Sequence, residues 1–353
     1  MRGVPARWQV NRTVSMTPDE LRKLCESKKG PLAVAAEFSD LDEAGRRALS
    51  KTVQDVYRET RKAEQANEWR QVTHRGSLAR LAMLACCPWS QAKRIREAGW
   101  GFSTGQSAHW PMAVVRILTD RRPDWAGDWV NLVLDEAEFG WQSMLGWGQI
   151  RELVNAGVIE RPTSDGYVGL MAASVDGIEE RLIDEDFIEH DVWRLFEAPS
   201  AAFAGLPPTK DIDREVWAAR IHEPTRREGD RWIGGGGWPR AIYYLAATGR
   251  IDRGRLIDAV LGTFWRDFNT QVLSTFARFH DLLDPTDNEM AGREAAYREL
   301  LRCEYGPAVG MAIKALGRLH KAERLDVPAF LEAAPAVFSI SAKSQPSRAL
   351  VLV

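Results

Sequence analysis

Four cysteines in 353 residues, Cys25, Cys86, Cys87 and Cys303, form no C-x-x-C pair. Cys86 and Cys87 sit in the apolar stretch LARLAMLACC and read as small hydrophobes buried in a reducing compartment. The six histidines, His74, His109, His190, His222, His280 and His320, form neither H-x-x-x-H nor H-E-x-x-H. No helical zinc site is legible in them. No apolar run approaches the roughly 18 residues that a membrane span needs. The basic N-terminus MRGVPARWQVNRTV has no continuous apolar segment behind it, so it is not a secretory signal. The chain is expected to be cytoplasmic and to make no membrane contact. Sustained period-two alternation is missing as well, which argues against a strand-rich fold.

Tryptophan is plentiful: fourteen in all, seven of them between Trp89 and Trp147. Net charge is only -2, but it is spread unevenly. Residues 1–100 carry 19 Lys+Arg and 12 Asp+Glu, while the remainder carries 28 and 37. The first third is therefore positive and suits an anionic partner.

Most segments have helical signatures. Thr17, Pro18 and Glu20 read as a capping box. Leu49, Val53 and Val56 make one apolar stripe in a long charged helix, and Trp125, Trp129, Leu132 and Val133 make another face. Gly157 is a plausible helix stop. VIERPTSDGYVGLM, with Pro162, Asp165 and Gly166, reads as a break whose cadence resembles a winged helix, although its turn is not basic. The stretch 224–239 reads as an exposed connection.

One pattern recurs after 74 residues. RIDRGRLIDAVLGTF, 250–264, lies over RLDVPAFLEAAPAVF, 324–338. Asp252 and Asp326 open a helix in each copy and suit N-caps. The interval holds two helix pairs, about 37 residues per pair, which is close to HEAT or armadillo units. The tail ALVLV is apolar where a terminal solenoid cap is polar. The expectation is that it folds back, meets a partner, or continues into a longer chain.

LTDRRPDWAGDWVNLVLD, IRELVNAGVIERPTSDGYVGLM and TFARFHDLLDPTDNEMAGREAAYRELL, with PAVGMAIKALGRL, resemble an uncharacterised, mainly actinobacterial family of HEAT-like helical proteins. The resemblance runs from about residue 70 onward. It implies an α-solenoid in a bacterial cytoplasm and carries over no catalytic residue.

The reading is an all-α, HEAT/armadillo-like superhelix in four parts. They are an N-terminal helical extension (1–70), a first repeat segment (71–204), an irregular Gly/Pro-rich connection (205–237) and C-terminal repeats (238–353). The expected function is non-catalytic binding of a protein or peptide on the concave surface. Nucleic acid is the alternative partner, held by Lys93, Arg94, Arg96, Arg121 and Arg122 among the tryptophans. An enzyme of unknown class ranks third. The run Gly234–Gly237 lacks the lysine, hydroxyl and preceding strand of a phosphate loop. Gly235, Gly236, Gly237 and Arg240 remain a weaker anion-site candidate. Glu185, Asp186, Glu189, His190 and Asp191 read as a solvated helix face. No cofactor or metal is expected.

Overall fold

A computed structural model describes residues 16–66, 73–95, 109–136, 145–173, 186–199, 202–203, 206, 226–228, 231–233 and 237–339. The chain is all-α in class, with one two-stranded ribbon among the described residues. It forms two compact units, Met1–Leu170 and Met171–Val353.

The first unit is built around α4, His74–Cys86. This helix is apolar on every side, and Gly76 to Cys86 are all buried. A helix of that kind needs neighbours all round. It has them in α1 (Pro18–Glu26), α2 (Pro31–Ser39), α3 (Glu43–Gln65) and α6 (His109–Arg121). The capping box of Thr17 and Glu20 starts α1 as expected. Leu49, Val53 and Val56 form the buried stripe of α3. The short α5 (Trp89–Ala92) leads toward α7 (Ala126–Glu136), whose Trp129 is fully buried and donates its indole N–H to the Ile95 carbonyl at 3.0 Å. α8 (Trp147–Asn155) stops at Gly157, φ +62°. The N–H of Val158 bonds the Leu153 carbonyl and that of Gly157 bonds Val154, both at 2.9 Å. This is the Schellman arrangement expected of a glycine stop.

After it the structure departs from expectation. Asp165–Ala173 is a helix, α9, where a break was read. Asp165 and Gly166 open the helix: the Ser164 hydroxyl accepts from the Tyr167 N–H at 3.3 Å. An Asp in the first turn also favours the positive end of the helix dipole. Gly166 is needed for close packing, since a Cβ there would lie 2.4 Å from the Leu134 carbonyl oxygen. A helix in this place removes the winged-helix cadence.

After the end of α9, the second unit continues with a π-helical turn, Phe187–Asp191, and a 3₁₀ turn, Val192–Phe196. Arg226–Glu228 (β1) pairs antiparallel with Arg231–Ile233 (β2). The intervening sequence is Gly-Asp, which suits a two-residue turn, so this part of the expected connection is ordered into a ribbon. Then come α10 (Gly237–Ala247), α11 (Arg253–Gly262), α12 (Thr270–Leu283), α13 (Asp287–Ala291), α14 (Glu294–Leu300), α15 (Gly306–Lys321) and α16 (Val327–Ala333). Phe203 anchors the core, with ring centroids 4.8 Å from Phe276 and 5.0 Å from Phe279.

The 74-residue repeat appears in backbone detail. Asp252 caps α11 and Asp326 caps α16, each accepting a backbone N–H from three residues on. Gly249 ends α10 at φ +71° and Glu323 follows α15 at φ +56°, again 74 residues apart. Both stops carry the same paired bonds, Arg250 to Leu245 with Gly249 to Ala246, and Arg324 to Leu319 with Glu323 to His320. Glu323 thus holds a left-handed conformation that glycine adopts freely. Glu323→Gly is expected to stabilise the chain by about 1 kcal/mol. Urea denaturation checks this, and a loss of stability would contradict it.

The boundary at Leu170–Met171 differs from the expected division at 70 and 204. Within the first unit α3 and α4 pack side by side, across the expected division at 70. The tail ALVLV lies outside the described residues.

Candidate functional site

In the second unit, the Schellman stop at Gly249 turns the chain sharply into α11. That turn brings Arg250, Ile251, Asp252 and Arg255 opposite Ile188, Glu189 and Trp193 of the π-helical and 3₁₀ turns. Together they line a cleft of about 420 Å³. Its floor is apolar: Ile188, Trp193 and Ile251 are buried. Its rim is charged. The Arg255 guanidinium lies 4.0 Å from the Trp193 ring centroid, a cation–π contact. Asp252 Oδ1 is committed to capping α11 through the Arg255 N–H. Arg250, Arg255 and Glu189 are exposed and form no ion pair among the described residues. An apolar floor with a few convergent charged groups is the general chemistry of a binding cleft. The π-helical turn supplies the geometry by inserting an extra residue, a device common at functional positions.

The basic residues of the first unit have different fates. Lys93 and Arg94 are exposed just after α5, and Arg96 lies outside the described residues. Arg122 is exposed and donates to the Ala156 carbonyl at 2.8 Å. Arg121 is not a free surface cation. Its side chain is 5% exposed, and Nη1 donates to the Leu84 and Cys87 carbonyls, both at 2.8 Å. Its guanidinium also lies 5.2 Å from the Trp125 ring, which stacks on Trp89 at 6.2 Å. The tryptophans and this arginine are thus committed to holding helices together. The carbonyls at the end of α4 draw the cation inward, since a helix C-terminus favours positive charge.

The glycine run follows β2, so a strand precedes it where none was expected, and only its last member falls among the described residues. Gly235 and Gly236 lie outside them, Gly237 begins α10 at φ +54°, and Arg240 is 7% exposed. Of the acidic stretch, Glu185 lies outside the described residues. His190 Nδ1 stands 3.3 Å from the carboxylate of Asp186. No group of three or more His, Cys, Asp or Glu fit to hold a metal occurs among the described residues. Sequence reading overlooks Gly101-Phe102-Ser103-Thr104-Gly105, which has the G-x-S-x-G spacing of a nucleophile elbow. It lies outside the described residues, and the motif's chemistry requires a strand-to-helix turn.

Three buried titratable groups are shifted toward inert forms. Burial pushes the Cys25 thiol up to about 11 and the Cys86 thiol up to about 12, so both stay protonated. Burial pushes the His280 imidazole down to about 4. Its Nε2 lies 2.8 Å from the Tyr297 hydroxyl, itself buried. Folding therefore favours neutral His280. Its stability contribution is complete above the unfolded value near 6.5 and is lost as pH falls toward 4. Between pH 7 and pH 5 this amounts to about 2 kcal/mol. Urea melts at the two pH values should show a drop that His280→Gln reduces by about that amount. An identical drop in the variant would contradict the assignment.

Helix packed on helix, with a mixed cleft at one helix start, places the chain among all-α proteins. The family described as a domain of unknown function, DUF6493, matches residues 17–344, and the chain belongs to it. No curated protein and no solved structure matches the chain. No described helix is long and apolar enough to cross a membrane.

Proposed function

We propose that the chain is a HEAT-like helical-repeat protein of the cytoplasm that binds a protein or peptide partner without catalysis. A recurring separation carries the reading. Side-chain bonds link Arg22 to Glu59, Ser50 to Cys87 and Arg121 to Leu84 across 37 residues. In the second unit Arg253 reaches Glu289 and Arg324 reaches Asn288 across 36, and Arg293 reaches Asp258 across 35. Bonds repeating at the length of one helix pair are what a stack produces, because each pair touches its neighbours. Stacks of this kind present side-chain grooves to polypeptides, and the Trp193–Arg255 cleft has the matching chemistry. The inert buried thiols and imidazole agree with a non-catalytic role.

A pull-down from native lysate tests the reading. Wild-type chain is expected to enrich a polypeptide that the charge-reversed variant Arg250→Glu/Arg255→Glu loses. Equal enrichment by both would contradict the cleft's role. The nucleic-acid reading rests on Lys93, Arg94, Arg96 and Arg122, without Arg121. A gel shift at low salt that vanishes as salt rises would favour it instead.

A further inference from the structure

The two copies of the repeat open their helices alike, and one difference between them falls in the cleft. Asp252 opens α11 by accepting the Arg255 N–H, and Asp326 opens α16 by accepting the Ala329 N–H at 3.1 Å. Ala329 stands 74 residues after Arg255, so the same cap is made there without a guanidinium. Arg250 and Arg324 also correspond. Each donates its backbone N–H to the helix it follows, to the Leu245 carbonyl at 2.9 Å and to the Leu319 carbonyl at 2.8 Å. The Arg324 side chain then bonds the Asn288 side chain. That of Arg250 bonds no group among the described residues and lines the cleft. The first copy thus brings to the cleft two arginines that neither the cap nor the helix stop requires.

Arg255 is held at both ends. The cap fixes its backbone, and its guanidinium lies 4.0 Å from the centroid of the buried Trp193 ring. A ring contact covers one face of a guanidinium and leaves its in-plane N–H donors open. None of those donors bonds a group among the described residues. Held, open guanidinium donors suit an oxyanion. The rest of the lining narrows the choice of oxyanion. Glu189 and Asp252 share the cleft with the two arginines, so the formal charges of the lining cancel. Two carboxylates oppose a dianionic phosphate more strongly than a single carboxylate. Beside the arginines, Ile188, Trp193 and Ile251 offer apolar contact.

We infer that the cleft binds a polypeptide through one carboxylate that stands next to an apolar side chain. Arg250 and Arg255 take the carboxylate, the apolar side chain lies against Trp193, and Glu189 turns away a second acid. The carboxylate belongs either to an Asp or Glu side chain or to a chain end. The inference rests on the reading of the chain as a polypeptide-binding protein and names the ligand chemistry of that same cleft.

The probes are random dodecapeptides displayed on phage, selected on the full chain and counter-selected on Arg250→Ala/Arg255→Ala. One library blocks the peptide's C-terminus and the other leaves it free. The expected survivors pair one carboxylate with Leu, Ile, Met or an aromatic residue. Survivors from the free-end library alone assign a terminal carboxylate, and survivors from both assign a side chain. As synthetic peptides they should lose about ten-fold or more in affinity when that carboxylate becomes an amide. A lysine in its place should bind Arg250→Glu/Arg255→Glu better than the wild type. Two additional acids should not strengthen binding. Arg255→Ala is expected to keep the wild-type melting temperature, as Ala329 does the same capping in α16, so that a lost peptide is not a lost fold. Survivors without an acid, or amide peptides that bind equally well, overturn the inference. So does tighter binding of the peptides with added acids, which marks diffuse attraction to cations. An absence of survivors from both libraries overturns it too. If Arg250→Glu/Arg255→Glu still loses its lysate partner in any of these cases, this inference fails and the proposed function stands.

Discussion

Replacing Arg80 with methionine is expected to destabilise the chain by about 3–5 kcal/mol. Arg80 is the one cation inside the apolar segment of α4, and its side chain is 3% exposed. It faces Glu64, 5% exposed, with both oxygens engaged: Nη1 to Oε1 at 3.2 Å and Nη2 to Oε2 at 3.0 Å. Glu64 Oε1 also accepts the backbone N–H of Thr73 at 3.1 Å, so the carboxylate ties the start of α4 to the end of α3. Removing the guanidinium leaves a buried carboxylate with no countercharge, the costly half of such a pair. Adding Glu64→Gln should recover part of the loss, because the amide keeps an acceptor for Thr73 without the charge. Gly76→Ala should be nearly as damaging, since its Cβ would fall 1.8 Å from Glu64 Oε1. Urea denaturation of the single and double variants measures this. A loss for Arg80→Met below about 1 kcal/mol would contradict the pairing.

Arg46→Met is expected to be comparably damaging, at about 3 kcal/mol, for a different reason. Arg46 is 4% exposed and satisfies three main-chain carbonyls: Leu41 at 3.0 Å, Ala85 at 2.8 Å and Phe38 at 2.9 Å. One guanidinium thus closes the ends of α2 and α4 at once. Burial lowers its pKa, and no carboxylate among the described residues is bonded to it. Methionine fills similar space but leaves the carbonyls unsatisfied, each at about 1–3 kcal/mol before relaxation. Arg46→Lys should fall in between, because a single ammonium cannot span the three acceptors with the planar fork of arginine. Thermal unfolding of the two variants orders them. A tie between Lys and Met would show that packing, and not the fork, matters.

Local chemistry made much of the fold legible. Thr17, Asp252, Asp326 and Gly157 do what their residue types and positions require. The repeat was visible because Asp caps and apolar positions recur in register. The site was less legible. An arginine beside tryptophans looks the same whether it faces solvent or a neighbouring helix end, and Arg121 proved to be the second kind. Pro162, Asp165 and Gly166 signal both the end of one element and the start of the next, and α9 took the second option. The Trp193–Arg255 cleft depends on a π-helical turn, which has no sequence period of its own. One signal was available and unused. A lone arginine in an otherwise apolar helix, as Arg80 is, requires a buried acid.

The central claim, that a polypeptide lies in the cleft at the start of α11, is tested most directly by site-specific photo-crosslinking. A benzophenone amino acid replaces the exposed Glu189 in the full chain, and a matched chain carries it at the exposed Glu304 in the same unit. The account predicts a discrete crosslinked polypeptide from position 189, absent from position 304 and lost on adding Arg250→Glu/Arg255→Glu. No polypeptide adduct at 189, or the same adducts from both positions, would contradict it.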